Sequence, residues 1–170
     1  RLIGVSMENV EEDLAMWSQL GFDMETDTLV VFTPGGQLVG YAELWDVAEP
    51  HVRPFGWART HPDCFGRGIG TYLESWIDER ARKVIARAPE GARVSLLQSQ
   101  LSVDSLGIAF LKAKGYQETR HFYNMRVQFD APPAEPVLPE GVTIRSMAEG
   151  EERALFHTSW EAFQDHWGMT

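Results

Sequence analysis

The sequence predicts an α/β (α+β) protein, because strand signals and helix signals follow one another along one chain. "TLVVFTPGGQLVGYAELWDV" (28–47) has two β-rich runs around a Pro-Gly turn, which predicts a hairpin. "RPFGWART" (53–60) carries large side chains at alternate positions, which predicts a third strand. After three alternating glycines, apolar side chains recur at helical spacing over residues 73–88, and Pro89 ends the helix.

The next part of the chain predicts two more strands with a short helix between them. "ARVSLLQSQL" (92–101) has the central apolar run of a buried strand. Asp104 can cap a short helix, and Gly115 stands where a glycine after a helix C-terminus is expected. "HFYNMRVQF" (121–129) alternates apolar and polar side chains, which predicts a half-buried strand antiparallel to a neighbour.

A proline-rich stretch divides the predicted domains. Residues 1–130 are expected to form one domain, in which 1–27 are helix-like without a clear first strand. Residues 131–140 read as a semi-rigid linker, and 141–170 as one strand and one helix. The apolar side of that helix consists of Leu155, Phe156, Trp160, Phe163 and Trp167. Because such a unit cannot bury its faces alone, it either begins a second domain or fills the missing first-strand position, within the chain or by exchange in a homodimer.

Composition limits the classes of partner. Hydrophobic residues make up 44% and charged residues 24%, as in folded proteins, and no apolar run approaches the length of a membrane span. The net charge of −10 argues against nucleic acid or an anionic membrane as a general partner. One cysteine and no signal-peptide pattern suggest the cytoplasm. His157 and His166 have the wrong spacing for a shared metal, so no metal is expected.

Two features of the region around residue 66 suggest a localised anionic ligand. Gly66, Gly68 and Gly70 alternate immediately before a helix, where free N–H groups and the helix dipole make an anion site suited to a diphosphate. Arg53, Arg59 and Arg67 form a small cationic group on an acidic protein. A loose connection and chance clustering of arginines are the alternatives. The spacing matches neither a dinucleotide fingerprint nor a P-loop.

The order of these elements resembles the GNAT superfamily of N-acyltransferases. The matching pieces, within about residues 28–129, are "GQLVGYAEL", "THPDCFGRGIGTYLESWIDERAR" and "FLKAKGYQETRHFYNMRV". The resemblance implies a mixed, mostly antiparallel central sheet flanked by helices, with the coenzyme A (CoA) diphosphate bound on the glycine turn. The tail resembles the opening of a second such domain. The whole is therefore similar to the tandem, mycothiol synthase-like type, cut short in its second half.

The resemblance also implies a set of cofactor-binding residues. They are Ala58, Arg59, Thr60, Phe65, Gly66, Arg67, Gly68, Ile69, Gly70, Thr71 and Asp104. Phe65 stands where the family usually has Arg or Gln, so backbone N–H groups and Arg67 would anchor the phosphates. Leu111 stands where the family has the tyrosine that protonates the departing thiolate. Asp104 replaces an asparagine and brings a negative charge.

The function implied is transfer of an acetyl group from acetyl-CoA, as cosubstrate, to a primary amine of a small molecule or peptide. Glu43, on the second hairpin strand, is the candidate base, with His61 as the alternative. Tyr116 and Tyr123 are candidate substitutes for the missing acid, whereas Cys64 lacks a partner that would activate it. The alternative function is a catalytically degenerate CoA-binding or structural half of a tandem acetyltransferase.

Overall fold

The computed structural model describes residues 10–166. The chain divides into two compact units, with the boundary between Thr119 and Arg120. The elements of the first unit are α1 (Val10–Trp17), α2 (Met24–Asp27), β1 (Thr28–Phe32), β2 (Leu38–Trp45), β3 (Phe55–Thr60), α3 (Ile69–Val84) and α4 (Ser105–Ala113), with short 3₁₀ turns at Pro62–Cys64 and Ile85–Arg87. Among the described residues of the second unit, the one regular element is α5 (Glu152–Phe163).

The three strands form an antiparallel sheet in the order β1-β2-β3. The predicted hairpin is confirmed, since Thr28 pairs with Glu43 and the Thr33 N–H donates to the Gln37 carbonyl oxygen across the turn (2.8 Å). The predicted third strand is confirmed as β3, in which Arg59 pairs with Tyr41 of β2. The hairpin therefore delivers Glu43 to the centre of the sheet, one strand away from β3.

Helix α3 packs against one face of this sheet. Leu73, Ile77 and Val84 are fully buried there with Ala42 and Leu44. The predicted helix is confirmed, although it ends at Val84 and continues only as a 3₁₀ turn towards Pro89.

Two strand glycines allow the helix to approach closely. A Cβ at Gly40 would lie 2.9 Å from Ile69 Cγ2, and one at Gly56 would lie 2.7 Å from Ile77 Cγ2. Because these two positions have no side chain, α3 packs closely along the sheet, with Gly70 beside Thr60 and Ile77 beside Gly56 of β3.

The strand predicted over 92–101 is wrong for most of its length. Leu97 forms one parallel bridge with Phe55, supported by bonds from Leu97 N–H to the Pro54 carbonyl oxygen (2.9 Å) and from Gly56 N–H to the Leu97 carbonyl oxygen (2.8 Å). Beyond Leu97 no backbone bond to β3 is formed among the described residues. The two segments therefore part at Gly56, and a strand cannot continue where its ladder ends.

The predicted ends of the short helix α4 are confirmed. Asp104 caps it by accepting a hydrogen bond from the Gly107 N–H (2.9 Å). Gly115 follows the helix with φ +91°, the left-handed conformation that a glycine adopts without strain.

The second unit departs from the sequence-based prediction. Residues 121–129 and 141–147 form no strand, and the side chains of Tyr123 and Met125 are 81% and 94% exposed. A strand needs a partner for its backbone hydrogen bonds, and alternation of side chains alone does not provide one. The predicted helix is confirmed as α5. Its apolar residues are each between 49% and 62% exposed: Leu155, Phe156, Trp160 and Phe163. Trp167 lies outside the described residues.

No helix within residues 10–166 is both long enough and apolar enough to cross a bilayer. The division at Thr119 falls before the predicted boundary at residue 130, because 121–129 does not join the sheet of the first unit as a strand. The assignment of 131–140 as a linker and of 141–170 to a second domain or an exchanged unit stays a prediction.

Candidate active site

A cavity of about 520 Å³ opens where β3 and the segment after Leu97 part. Its walls are the end of β3, the glycine turn, the first turns of α3, Gln98 and Gln100, and the beginning of α4. Every predicted cofactor-binding residue lines it except Arg67. The structure thus brings together residues that are far apart in the sequence, from Ala58 to Asp104.

The glycine turn presents unpaired backbone donors to this cavity. Gly66 and Gly68 have φ of +74° and +83°, and Gly68 is the N-cap of α3 without any side-chain cap. The first helical bond runs from Tyr72 N–H to the Gly68 carbonyl oxygen (3.0 Å). Within residues 10–166, no protein oxygen accepts from the N–H groups of residues 69–71. The positive end of the helix dipole therefore faces the cavity with its donors open to an anion.

Phe65 lies beside these donors without occupying them. Its ring lines the cavity and the residue is 47% exposed, while its own N–H donates to the Pro62 carbonyl oxygen (3.1 Å). A phenylalanine supplies no hydrogen bond to a phosphate. Anchoring of an anion therefore depends on main-chain N–H groups of the turn.

The end of β3 provides a second set of donors. The Gly56 N–H points to Leu97 and the His61 N–H points to β2, where it donates to the Val39 carbonyl oxygen (2.8 Å). Since N–H groups alternate between the two edges of a strand, those of Ala58 and Thr60 point away from β2, to the side of the cavity. These two N–H groups are therefore available to a ligand oxygen.

Arg59 is the predicted cation that reaches the cavity, whereas Arg67 does not line it. The Arg59 guanidinium lies 3.6 Å from the centre of the Trp57 ring and donates a hydrogen bond to the Ala58 carbonyl oxygen (2.8 Å). Burial lowers the pKa of Arg59, and the negative groups near it oppose that shift. The side chain is held by the strand to which it belongs rather than by the glycine turn.

Glu43 is 7% exposed and does not line the cavity. Its neighbours Ala42 and Leu44 pack on α3, so alternation places Glu43 on the opposite face of the sheet. There its Oε2 accepts a hydrogen bond from Trp17 Nε1 (2.9 Å), and its cross-strand partner is Trp57. The candidate base is therefore buried beside β3, but on the far side of the sheet from the glycine turn.

A buried polar cluster at the inner end of the cavity was missed by the sequence analysis. Glu74, only 5% exposed, accepts a hydrogen bond from the Tyr116 hydroxyl (2.7 Å) and another from Gln98 Nε2 (2.7 Å). Burial raises the pKa of Tyr116, and the bond to Glu74 raises it further. A signal was present in the sequence, since Glu74 follows Gly70 by four residues and so lies on the same side of α3.

The remaining candidates are dispersed. His61 is a turn residue whose Nδ1 accepts from the Asp63 N–H (3.3 Å). Cys64 is buried in the cavity wall, and Leu111 contributes an apolar side chain to the same wall. Tyr123 belongs to the second unit and is 81% exposed. The structure therefore provides neither His61 nor Tyr123 with a position on the cavity wall.

No protein-family model matches the chain. The chain is 33% identical over 139 residues to a mycothiol acetyltransferase from Streptomyces scabiei, covering 81% of this chain and 41% of that protein. A solved structure of a GCN5-related N-acetyltransferase from Sphaerobacter thermophilus matches with a TM-score of 0.83 and 28% identity, covering 95% of this chain and 51% of that one. The chain belongs to the GNAT superfamily.

GNAT membership confirms both the family resemblance and the predicted fold class of helices on a mostly antiparallel sheet. A mycothiol acetyltransferase from Frankia casuarinae is 28% identical over 145 residues, covering 84% of this chain and 39% of that protein. An acetyltransferase from Salmonella typhimurium, solved with its cofactor acetyl-CoA, shares the fold at a TM-score of 0.50 and 20% identity, covering 68% of this chain and 63% of that one. This GNAT chain spans about two fifths of the length of the curated relatives it matches.

Proposed function

We propose that this chain binds acetyl-CoA in the cavity and transfers the acetyl group to a primary amine of a small molecule or peptide. The observation that carries the proposal is the row of open N–H donors at residues 69–71, at the N-terminus of α3. Converging main-chain donors at a helix start suit a diphosphate, and CoA contains one. The acetyltransferase names of the GNAT relatives and the acetyl-CoA in a structural neighbour support the same choice.

The gap between β3 and the segment after Leu97 suggests how the reaction would proceed. Acetyl-CoA supplies a thioester, and the amine nitrogen forms a bond to its carbonyl carbon while the carbonyl oxygen becomes negatively charged. The N–H groups of Ala58 and Thr60 would hold that oxygen. Glu43 would take the proton released by the attacking amine from the sheet face opposite α3, after which the carbon–sulfur bond breaks.

The departing thiolate then needs a proton, and neither Leu111 nor Tyr116 is suited to supply it. Leu111 has no ionisable group, and Tyr116 donates its proton to Glu74 with a pKa raised above its ordinary value. A weaker acid is a poorer proton donor to a thiolate. Water would therefore protonate the leaving group.

These residues also support a second candidate function, CoA binding without turnover. Leu111 on the cavity wall lacks the acid, and Glu43 lies outside the cavity on the other face of the sheet. Both observations affect catalysis and leave the N–H donors at residues 69–71 unchanged. A CoA-binding half of a tandem acetyltransferase would have these properties.

The first experiment tests binding and then turnover. Acetyl-CoA at millimolar concentration should raise the melting temperature of the full chain, because a ligand that binds only the folded state stabilises it. Thiol release is then measured with a panel of amines. Glu43→Gln should lower kcat by about 10²–10⁴-fold without changing the affinity for CoA. Glu79→Gln, an exposed carboxylate on α3, is the matched control.

The outcomes separate the two candidates. A melting temperature that does not respond to acetyl-CoA would contradict the proposal as a whole. Binding without thiol release for any amine would favour the degenerate CoA-binding half. A Glu43→Gln variant with unchanged kcat would remove Glu43 from the mechanism and leave acetyl transfer itself intact. Action in the cytoplasm, without metal, nucleic acid or membrane partners, completes the proposal.

A further inference from the structure

The cluster of Glu74, Gln98 and Tyr116 joins three parts of the first unit. Glu74 belongs to α3, Gln98 directly follows the last bridged residue Leu97, and Tyr116 follows α4. Gln98 Nε2 lies 2.7 Å from Glu74 Oε2 and 2.9 Å from the Tyr116 hydroxyl, which in turn lies 2.7 Å from Glu74 Oε1. The three side chains form a closed ring of hydrogen bonds.

The ring fixes which end of the Gln98 amide faces which partner. Both oxygens of Glu74 accept hydrogen bonds, one from Gln98 Nε2 and one from the Tyr116 hydroxyl. The Tyr116 hydroxyl gives its proton to one of them and accepts from Gln98. Gln98 must therefore turn its NH₂ group towards Glu74 and Tyr116, which uses both of its N–H bonds.

The carbonyl oxygen of Gln98 remains as an acceptor. Among the described residues, no donor reaches it, and Gln98 is a half-buried residue of the cavity wall. Half-buried acceptors are normally satisfied by protein, water or ligand. A donor carried by a ligand in the cavity can satisfy this one.

The cavity leads from the glycine turn to this acceptor. Helix α3 runs from Gly70, beside Thr60, to Ile77, beside Gly56, and Glu74 lies one turn inward from Gly70. The distance along β3 from Thr60 to Gly56 is about 13 Å at the usual rise per strand residue. If the diphosphate of CoA lies at the glycine turn, the arm that carries the thioester extends towards Gln98. That arm contains two amide groups, and each has one N–H donor.

We propose that the Gln98 carbonyl oxygen accepts a hydrogen bond from an amide N–H of the CoA arm. Glu74 and Tyr116 are positioning residues that hold Gln98 in the orientation that this contact requires. The inference rests on the proposed function, because it takes CoA as the ligand. It assigns the buried carboxylate in α3 a role in selecting the cofactor arm and no part in proton transfer.

Glu74→Gln tests the proposal with almost no change in shape. Its amide has one oxygen where the carboxylate had two, so either Gln98 Nε2 or the Tyr116 hydroxyl loses its acceptor and the ring no longer fixes the orientation of Gln98. CoA should then bind about tenfold more weakly, the equivalent of one lost hydrogen bond. Adenosine 3′-phosphate 5′-diphosphate, which is CoA without the arm, should bind with unchanged affinity. Calorimetry on the full chain measures both.

The controls use the same helix and the same ring. Glu79→Gln makes the same chemical change at an exposed position of α3 and should leave both affinities unchanged. Tyr116→Phe should give a smaller loss, confined to CoA, because Glu74 still holds Gln98; it carries the test alone if Glu74→Gln does not fold.

An equal loss for CoA and for the fragment, or no loss for either, would overturn the proposed role of Gln98. Failure of the unmodified chain to bind either ligand would instead overturn the proposed function, and this inference with it.

Discussion

At the scale of single residues, the cavity wall separates binding from catalysis. Phe65 and Leu111 both line it, and both replace side chains that GNAT proteins usually employ. In the proposed CoA site, the open main-chain donors at residues 69–71 would offset the lack of a side-chain phosphate ligand at Phe65, because they do not depend on side-chain identity. No main-chain group replaces a proton donor at Leu111. In the proposed function, the identities of Phe65 and Leu111 therefore affect turnover more than cofactor binding.

Tyr116 gives the stability of the protein a dependence on alkaline pH. Because burial and Glu74 raise its pKa in the folded state, the native protein keeps this proton after an unfolded tyrosine has lost it at about pH 10. The unfolded state then binds fewer protons, so the free energy of unfolding decreases as pH rises above 10. Urea denaturation between pH 9 and pH 11 should show a steeper decrease for the natural chain than for Tyr116→Phe.

Comparing the natural chain with Tyr116→Phe cancels the contribution of the other tyrosines to the pH dependence of stability. Tyr41 also has a raised pKa, from burial and from Glu43, but it is present in both proteins. Equal slopes for the natural chain and Tyr116→Phe would show that the hydroxyl titrates normally. The bond from Tyr116 to Glu74 would then be absent in solution.

At the scale of elements, the backbone conformation at the start of α3 has two effects. The left-handed residues Gly66 and Gly68 turn the chain from β3 into the helix and also leave the first N–H groups uncovered. An N-cap side chain such as Ser or Asp would stabilise the helix by about 1 kcal/mol but would occupy one of those donors. With glycine at these positions, the N–H donors stay open and the helix end lacks the stability that a capping side chain would add.

Gly68→Ala tests this element. A Cβ at Gly68 meets nothing within 4 Å, so its cost is the left-handed backbone, about 1–2 kcal/mol. We expect that loss in the free energy of unfolding, together with weaker binding of CoA. Gly91→Ala is the control, because Gly91 has φ +76°, is equally open and lies away from the cavity. It should lose similar stability and keep its affinity for CoA; equal losses of affinity in both variants would contradict the assignment.

At the scale of the whole molecule, the chain consists of a compact unit that carries the cavity and a second unit that begins at Arg120. All the cavity-lining residues belong to the first unit. In the second unit, residues 121–129 are exposed and have no regular secondary structure.

Limited trypsin digestion should reflect this division. Arg126 lies in exposed backbone without secondary structure and is expected among the first cleavage sites. Arg80 is the internal control, since it lies in α3 with its Nε 3.0 Å from Asp27 Oδ1. The fragment ending at Arg126 should bind CoA like the full chain. Protection of Arg126 together with early cleavage at Arg80 would contradict the predicted order.

The sequence by itself determined the features that depend on neighbouring residues. The Pro-Gly turn of the hairpin, the left-handed glycines before α3, and the cap of α4 by Asp104 are local, because turn and capping chemistry act over a few residues. The conformation of the glycine turn before α3 was therefore predictable. The order of elements around the turn also predicted the family fold.

Tertiary structure alone decided where β3 and the 92–101 segment part, and which residues lie between them. The 92–101 segment reads as a strand, yet its pairing with β3 ends at Leu97, where the side chain of Gln98 bonds to Glu74 and Tyr116 instead. Residues 121–129 alternate correctly and still form no strand. A strand ladder and a buried carboxyl group both depend on partners that are distant in the sequence, and only the folded chain brings those partners together.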